Sequence, residues 1–407
     1  MTDAASAHEE DRTQQDSAQQ EQVFANFQFE IYLRGMAGER PALPPLAGEL
    51  EARARERLPA EAFGYVAGGA GAELTMRANL EAFERWQIVP RMLRDVSSRD
   101  LSTSILGTAM PAPVLLAPIG VQSIVHPEGE LAVARAAGAQ RLPFILSTAA
   151  SHSMEDVAEA AGAGGRWYQL YWPTDRELAA SFVGRAADAG YEALVVTLDT
   201  WLLGWRPRDL AGAYLPFLAG EGVANYFSDP VFRAALARPP EEDREAAIGH
   251  WAYQFANPRV TWRDLAWLRE QTGLPIVLKG ILHAQDARLA LEAGVDGLIV
   301  SNHGGRQVDG AIGALEALPE VREVVGEDFP VLFDSGIRTG ADAFKALALG
   351  ADAVCLGRPY AWGLALDGQA GVEHVLRCLL AELDLTLALS GHTHVAQVAR
   401  PALRRAG

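Results

Sequence analysis

Residues 330–358 read PVLFDSGIRTGADAFKALALGADAVCLGR, and this stretch decides the fold. Two short apolar runs, PVLFDS and AVCLGR, flank an Ala-rich amphipathic segment of helical length. Near-continuous apolar runs that alternate with helices are typical of parallel strands whose two faces are both buried. The stretch therefore predicts one strand–helix–strand unit of a parallel sheet.

The same rhythm occurs along most of the chain. Apolar, β-branched runs that end in Gly, Pro or polar residues are PVLLAPIG (113–120), PFILST (143–148), RWYQLY (166–171), ALVVTLD (193–199), PIVLKG (275–280), GLIVSN (297–302), PVLFDS (330–335) and AVCLGR (353–358). Eight such units predict an α/β protein with a closed (β/α)₈ TIM barrel, here over residues 113–400. An open, doubly wound sheet is the alternative, but such sheets usually have fewer strands and one ligand site at a switch point.

The residues before the barrel divide into a tail, an arm and helices. Residues 1–22 are polar and predict a disordered tail. Residues 23–112 predict an N-terminal arm and then a helical segment, whose pattern begins at Leu46 with LAGELEARARERL. This part of the chain is therefore expected to pack against the barrel.

A long insertion separates the fourth and fifth predicted strands. Residues 200–274 are far more than one loop and one helix require, and they carry aromatic residues as well as the acidic run PPEEDREAA. Long barrel insertions usually cover or build active sites. We therefore expect a lid at about residues 208–261. A decorative insertion or an oligomer contact is the alternative.

The charge balance excludes several classes of protein. The 407 residues carry a formal net charge of −17, which disfavours nucleic acid and anionic membranes as partners. No apolar run approaches the ~20 residues of a membrane span, and no signal peptide is recognisable. Cys355 and Cys378 have no paired spacing, and we expect His392 and His394 to be solvated, so no metal site is expected. A cytoplasmic protein is the expectation.

Polar residues cluster at the predicted strand ends. In TIM barrels the carboxyl ends of the strands carry the active site, so these side chains should converge on one ligand. The last two units also place glycines beside Arg338 and Arg358. Barrels often hold a phosphate there, with backbone N–H groups and arginine. The sequence therefore predicts a phosphate site after strands seven and eight.

His303 is the candidate base. It follows a strand directly in SNHGGRQ, and its small neighbours leave room for a substrate. Histidine titrates near neutrality and needs an orienting carboxylate to act as a base, and Asp199 is the natural partner. Arg206 and Arg306 are suited to clamp a carboxylate through two bonds each, which indicates an anionic small substrate.

Lys279 ends the fifth predicted strand inside an otherwise apolar barrel, and a buried ammonium needs a partner. One partner is a flavin carbonyl, which gains negative charge on reduction. Another is a Schiff-base carbonyl, which would indicate a barrel isomerase or aldolase acting on a phosphate substrate. The His303–Asp199 pair and the arginine clamp favour the first interpretation.

Several motifs of this sequence resemble those of a known enzyme family. SNHGGRQ, VTLDT, LKGI, FDSGIRTGADAFKALALGA and GRP resemble the signatures of the FMN-dependent α-hydroxy acid oxidases and dehydrogenases. The similarity extends from about residue 46 to 400 through YVAGGA, APIG, HPEGE and QLY. Within that family, LDTWLLGWRPRDL, FDSGIRTGAD, GRPYAWG and the long lid most resemble the lactate 2-monooxygenases.

The resemblance implies FMN as the cofactor and a set of residue roles. His303 would be the base that Asp199 orients, and the substrate would bind at Tyr65, Tyr171, Arg206 and Arg306. The isoalloxazine ring would be lined by Pro118, Ile119, Gly120, Ser147, Gln169, Thr197, Lys279 and Ser301. The ribityl chain and phosphate would be held by Asp334, Ser335, Gly336, Ile337, Arg338, Gly357 and Arg358.

The resemblance also implies a reaction and an assembly. L-lactate would be oxidised by O₂, and the retained pyruvate would be decarboxylated to acetate, CO₂ and water. The alternative is a 2-hydroxy acid oxidase or dehydrogenase that releases the 2-oxo acid. A homo-tetramer or homo-octamer is expected.

Three positions depart from the family pattern. Ala149 stands where glycolate oxidases carry an aromatic residue, so larger substrates are not excluded on that wall. Gly120 stands where the oxidases usually have Ala, which predicts more space over the flavin. Ser335 replaces a common Gly, and little effect is expected in a loop that binds through its backbone.

Overall fold

The N-terminal part forms helices that cover one side of the molecule. The computed structural model describes residues 23–255 and 257–406, so the predicted tail lies outside the described residues. The first elements are α1 (Asn26–Met36), α2 (Ala47–Arg57), α3 (Ala60–Ala67), α4 (Leu74–Glu84) and the short strands β1 (Trp86–Ile88), β2 (Thr103–Ile105) and β3 (Thr108–Met110).

Eight parallel strands then close into a barrel, and the predicted TIM barrel is confirmed. The strands are β4 (Val114–Leu116), β5 (Phe144–Ser147), β6 (Arg166–Leu170), β7 (Leu194–Thr197), β8 (Ile276–Ile281), β9 (Gly297–Val300), β10 (Val331–Phe333) and β11 (Ala353–Leu356). Each pairs with the next along the chain, and β11 pairs with β4. The short apolar runs of the sequence are these strands.

Helices follow the strands, singly in the outer layer of the barrel except between β7 and β8, where the long insertion carries several. They are α5 (Gly129–Ala139), α6 (Met154–Ala161), α7 (Arg176–Asp188), α8 (Pro207–Ala211), α9 (Ala224–Phe227), α10 (Pro230–Ala234), α11 (Arg244–Phe255), α12 (Asp264–Gln271), α13 (Ala284–Glu292), α14 (Ala314–Val325), α15 (Gly340–Ala348) and α16 (Arg358–Leu389), followed by β12 (Leu403–Arg405), which pairs with β1. In the described residues, no helix has the length and apolarity of a membrane span.

The alternation of the strands explains why the runs are apolar throughout. One set of strand residues, including Leu115, Trp167 and Val277, fills the inside of the barrel. The alternate set packs outward against the helices, so both faces of every strand are buried. Ile105 and Met110 of the β2–β3 hairpin join the inner cluster and close the amino-terminal end of the barrel.

The N-terminal arm before the barrel packs against the outer helices. Helix α1 lies along α16, where the Arg377 guanidinium bonds both carboxylate oxygens of Glu30 at 2.6 Å and stacks over the Phe27 ring at 3.9 Å. The backbone N–H of Ala25 donates to Asp384 at 2.9 Å. These contacts fix the arm on the outer layer.

The insertion between β7 and β8 is built on its own aromatic cluster. The Phe217 and Trp251 rings stack with centroids 4.8 Å apart, and Phe255 lies 5.0 Å from Trp251. Asn225, which is fully buried, donates to the carbonyl oxygens of Ser147 and Thr148 at 3.3 and 3.1 Å. The insertion is therefore tied to the end of β5, at the active-site face of the barrel.

Candidate active site

A cleft opens at the carboxyl ends of the barrel strands, where this fold places active sites. Its empty volume is about 1020 Å³, including the open mouth. Most of the predicted site residues line it, namely Tyr65, Pro118, Ile119, Gly120, Ser147, Tyr171, Arg206, Lys279, His303, Arg306, Asp334, Ser335, Gly336, Ile337, Arg338, Gly357 and Arg358. Gln169, Thr197, Asp199 and Ser301 are not among the lining residues. The structure brings Asp199, Gln169 and Ser301 into hydrogen bonds with lining residues.

His303 and Asp199 form a hydrogen-bonded pair in this cleft, with Nδ1 of His303 2.7 Å from Oδ1 of Asp199. Burial opposes ionisation of Asp199, but the charges of His303 and Lys279 outweigh it and lower the pKa of Asp199 to about 2. Burial lowers the pKa of His303, and Lys279 and Arg206 act in the same direction against Asp199. A neutral imidazole beside an ionised Asp199 keeps its proton on Nδ1, which leaves Nε2 as the basic atom.

The backbone around His303 explains the motif SNHGG. His303 itself has a φ of +59°, and the two following glycines have φ values of +64° and +77°. A non-glycine residue in this region is strained, by roughly 1–3 kcal/mol, and such strain concentrates at functional sites. Ser301 offsets it by accepting the His303 N–H at Oγ, 3.0 Å away. The turn thus carries the imidazole into the cleft.

Arg206 and Arg306 lie side by side in the cleft. Nε of Arg206 donates to the carbonyl oxygen of Arg306 at 3.1 Å, and Nη1 of Arg306 donates to that of Tyr65 at 2.6 Å. Neither forms a salt bridge within the described residues. Burial and the like charge of Arg206 lower the pKa of Arg306 to about 10. Asp209 is near enough to favour the charged form of Arg306, but it forms no salt bridge with either arginine. Two adjacent cations without a salt-bridge partner favour an anionic ligand.

Lys279 finds its partner in the protein. Its Nζ lies 3.2 Å from Oδ2 of Asp334 and 2.9 Å from Oγ of Ser301. Burial disfavours the ammonium, but the charges of Asp334 and Asp199 outweigh burial and raise the pKa of Lys279. A lysine that stays protonated is a poor nucleophile, so the Schiff-base alternative is disfavoured. The charge of Lys279 remains close to any ligand above it.

The predicted phosphate site has two arginines beside a helix start. The Arg358 guanidinium donates to the carbonyl oxygens of Val66, Gly304 and Gly68 at 2.9–3.0 Å. Arg338 makes one such bond, to Ile337 at 3.0 Å. Burial lowers the pKa of both arginines. Helix α15 begins at Gly340, close to Arg338 in the chain, and helix starts favour anions.

Two buried polar atoms suit a flavin ring. Nε2 of Gln169 and Oγ1 of Thr197 have no hydrogen-bond partner, which is rare for buried groups. Oε1 of Gln169 is occupied by Ser147 at 3.0 Å, so Nε2 is free to donate to a ligand. A ring with polar edges would satisfy both atoms. Together with a single phosphate site, these residues fit FMN.

Gly120 does not leave free space, and that expectation was wrong. A Cβ at Gly120 would lie 2.7 Å from the carbonyl oxygen of Ala149 and 2.9 Å from its Cβ. The missing methyl group is therefore replaced by the backbone after β5, which approaches closely and accepts the Val121 N–H at 2.8 Å. Gly120 permits this contact between two loops that line the cleft.

Ser335 has more effect than the sequence suggests. It adopts a φ of +83°, a conformation that the common Gly would take freely. Its Oγ accepts the N–H groups of Asn302 and Gly304 at 3.2 and 3.0 Å and donates to Asp334 at 2.7 Å. The hydroxyl therefore joins the β9 and β10 loops and orients the partner of Lys279.

The sequence reasoning missed several lining residues of the insertion. Thr200, Leu203, Phe217 and Phe255 all face the cleft. The sequence shows that the insertion is rich in aromatic residues, but it does not reveal which side of an irregular segment faces a ligand. The VTLDT motif was the available signal for Thr200. One further correction concerns His392, expected to be solvated: it is buried and bonds Ser390 at 2.9 Å.

Fold and site together define a class of enzyme. The strand ends of the TIM barrel bring together a hydrogen-bonded His–Asp pair, two adjacent arginines and a second arginine pair near a helix start, which is the arrangement expected of an FMN-dependent α-hydroxy acid oxidoreductase.

Comparison with known proteins places the chain in that class. Residues 54–405 match the family described as FMN-dependent dehydrogenase. L-lactate oxidase of Lysinibacillus sphaericus (strain C3-41) is 46% identical over 366 residues, which are 90% of this chain and 94% of the relative. The FMN-dependent alpha-hydroxy acid dehydrogenase qulF of Penicillium citrinum is 47% identical over 386 residues, 94% of this chain and 96% of the relative.

A solved structure of a related enzyme supports the same family assignment. Mandelate oxidase with (S)-4-hydroxymandelic acid superposes with a TM-score of 0.79 at 41% identity and covers 89% of this chain and 98% of that one. The chain belongs to the family of FMN-dependent α-hydroxy acid oxidases and dehydrogenases, and its cofactor is FMN.

Proposed function

We propose that this enzyme oxidises L-lactate with O₂ and retains the pyruvate until it is decarboxylated to acetate, CO₂ and water. The observation that carries the proposal is the cleft itself, in which His303, Arg306 and the lid residue Phe217 face one space. This arrangement supplies a base, a carboxylate anchor and a cover. The motif LDTWLLGWRPRDL supports the same reading.

The proposed roles follow from charge and geometry. Arg206 and Arg306 bind the carboxylate of the hydroxy acid, and the charge of that anion stabilises both buried guanidinium groups. His303 accepts a proton from the substrate at Nε2, and the ionised Asp199 stabilises the imidazolium that forms. Tyr171 lies beside the substrate hydroxyl. Bound FMN would supply the two-electron acceptor for the hydroxy acid and the route by which those electrons reach O₂.

The contacts of the phosphate site and the barrel top would hold FMN in place. Arg338 and Arg358 bind its phosphate, and Gln169 and Thr197 donate to its ring. Lys279 holds a positive charge near the ring, where electron density accumulates on reduction. These groups orient the cofactor without entering the acid–base chemistry.

Whether pyruvate is decarboxylated depends on two competing rates. One is the rate of its release, and the other is the rate of its reaction with the hydrogen peroxide formed beside it. The lid favours retention because Phe217 is only 3% exposed and is held by Trp251 at 4.8 Å. Lid opening often sets the rate of product release. The insertion therefore slows escape long enough for decarboxylation.

The second candidate is release of pyruvate and hydrogen peroxide. It is favoured by the relatives named L-lactate oxidase, of which the one from Lysinibacillus sphaericus is 46% identical. Both candidates share every step up to the formation of pyruvate. They differ only in what leaves the cleft.

Product analysis separates the two. ¹³C-labelled L-lactate is turned over in air with catalase present, so that free peroxide is destroyed before it meets free pyruvate. The proposal expects labelled acetate as the main NMR signal. Accumulation of labelled pyruvate would establish the oxidase reaction instead.

A pair of neighbouring variants tests the lid. Phe217→Ala removes a ring that lines the cleft and should shift the products from acetate towards pyruvate. Leu218→Ala is the matched control, because Leu218 is 60% exposed and should leave the ratio unchanged. An unchanged ratio in both variants would exclude Phe217 as the retaining residue.

The assembly, compartment and domain boundaries stay predictions. A homo-tetramer or homo-octamer in the cytoplasm is the expectation from family resemblance, and light scattering on the purified protein measures the first directly.

A further inference from the structure

Thr200 lies beside the proposed base. It follows Asp199 at the end of β7, lines the cleft and is 6% exposed. Its Oγ1 donates to Oδ1 of Asp199 at 2.9 Å and lies 3.3 Å from Nδ1 of His303. Oδ1 of Asp199 also accepts the His303 N–H at 2.7 Å. One carboxylate oxygen thus accepts two donors.

The other oxygen of Asp199 is confined by backbone. Oδ2 is buried and has no hydrogen-bond partner. It lies against Gly280, where the pairing of β8 with β9 shifts register and φ is +108°. A Cβ on Gly280 would be 3.0 Å from Oδ2. Within the described residues, the side-chain donors to this carboxylate are therefore Thr200 and His303.

We propose that Thr200 is a positioning residue whose hydroxyl holds Oδ1 of Asp199 in line with Nδ1 of His303 and weakens the carboxylate as a partner of the imidazolium. A carboxylate oxygen that already accepts a hydroxyl proton has less charge to offer a second donor. The hydroxyl therefore adds to the effect of burial in favouring the neutral imidazole of His303. The inference rests on the proposed role of His303 as the base.

The other charged groups around the pair stay in place when the hydroxyl is removed. Lys279 acts on His303 from β8 and Arg206 acts on it from the start of the insertion. Tyr171, after the end of β6, lies close enough to Asp199 for their charges to interact. Their charges form a constant background. A change at Thr200 therefore reports on the hydroxyl alone.

The test is an NMR titration of His303 in the FMN-loaded, full-length protein labelled with ¹⁵N-histidine. The His303 signal is assigned by its absence from His303→Gln. Thr200→Val, which preserves shape and removes the hydroxyl, should raise the His303 pKa by about half a pH unit. Thr200→Ser should restore the wild-type value, because it keeps the hydroxyl.

Thr108→Val is the matched control, since the Thr108 hydroxyl also donates to a carboxylate, that of Glu192, at the opposite end of the barrel. It should leave the His303 pKa unchanged. A wild-type pKa in Thr200→Val, or an equal shift in Thr200→Ser, would overturn the proposal. If the valine variant fails to retain FMN, Thr200→Ala carries the same expectation.

The proposed effect of Thr200 on the imidazole and the proposed role of His303 as the base can be refuted independently. The titration measures the His303 pKa whether or not His303 is the base. Normal lactate oxidation by His303→Gln would refute the base and leave the effect of Thr200 on the imidazole standing.

Discussion

Nδ1 of His303 lies 2.7 Å from Oδ1 of Asp199, although the two residues are 104 positions apart in the chain. Asp199→Asn should therefore keep FMN and lower the rate of lactate oxidation on the order of 10²–10⁴-fold, because an amide neither stabilises the imidazolium nor fixes the tautomer. Oxygen consumption with L-lactate measures the rate, and the flavin absorbance of the variant is the control. A rate within a few fold of wild type would remove Asp199 from the mechanism.

The pH dependence follows from two lowered pKa values. His303 must be neutral to accept a proton, so a lowered pKa keeps kcat/KM high as the pH falls through the ordinary histidine value of about 6.5. Arg306 must be charged to bind the carboxylate, so kcat/KM should fall above about pH 10. A steady-state profile with L-lactate checks both limbs. If kcat/KM fell on the acid side with an apparent pKa above the ordinary histidine pKa, this description of His303 would be contradicted.

The arginine clamp is tested against an arginine two positions away. Arg206→Lys should raise KM for L-lactate about 10–100-fold, because an ammonium cannot reproduce the planar fork of a guanidinium. Arg208→Lys is the control, since Arg208 is exposed and pairs with Glu73 at 2.7 Å on the surface. Equal effects of the two substitutions would show that Arg206 has no special role.

The phosphate site is tested by comparing two flavins. Arg338→Met should weaken FMN binding about 10–100-fold and leave riboflavin binding nearly unchanged, because only FMN carries the phosphate. Arg338 suits this test better than Arg358, which holds three backbone carbonyl groups. Fluorescence titration of the apoprotein gives both dissociation constants, with Arg288→Met as the control, because Arg288 is exposed on α13. Equal losses for both flavins would place the phosphate elsewhere.

Much of the fold could be predicted because the barrel strands are short and apolar on both faces. Runs such as PFILST and GLIVSN have no solvent-facing side, and the spacing to the next run leaves room for one helix each. Parallel strands also end at one edge, so the polar residues after them were expected together. This topology brings His303 and Asp199 to the same edge of the barrel, and the folded structure shows their hydrogen bond.

The remaining features of the fold and the site could not be predicted, because they depend on contacts between residues that are distant in the chain. The side of the insertion that faces the cleft is set by packing of Phe217 on Trp251. The space at Gly120 is set by the approach of Ala149, a residue from another strand end. The partner of Lys279 is Asp334, two strands away in the barrel. Each of these requires the folded chain.

The central claim is that His303 accepts the proton when FMN oxidises the hydroxy acid. Anaerobic mixing of the enzyme with L-lactate measures that step alone, because loss of flavin absorbance needs neither O₂ nor product release. Wild type should bleach rapidly, and His303→Gln, with FMN still bound, should bleach on the order of 10²–10⁴-fold more slowly or worse. Bleaching of His303→Gln at a rate near that of wild type would contradict the account.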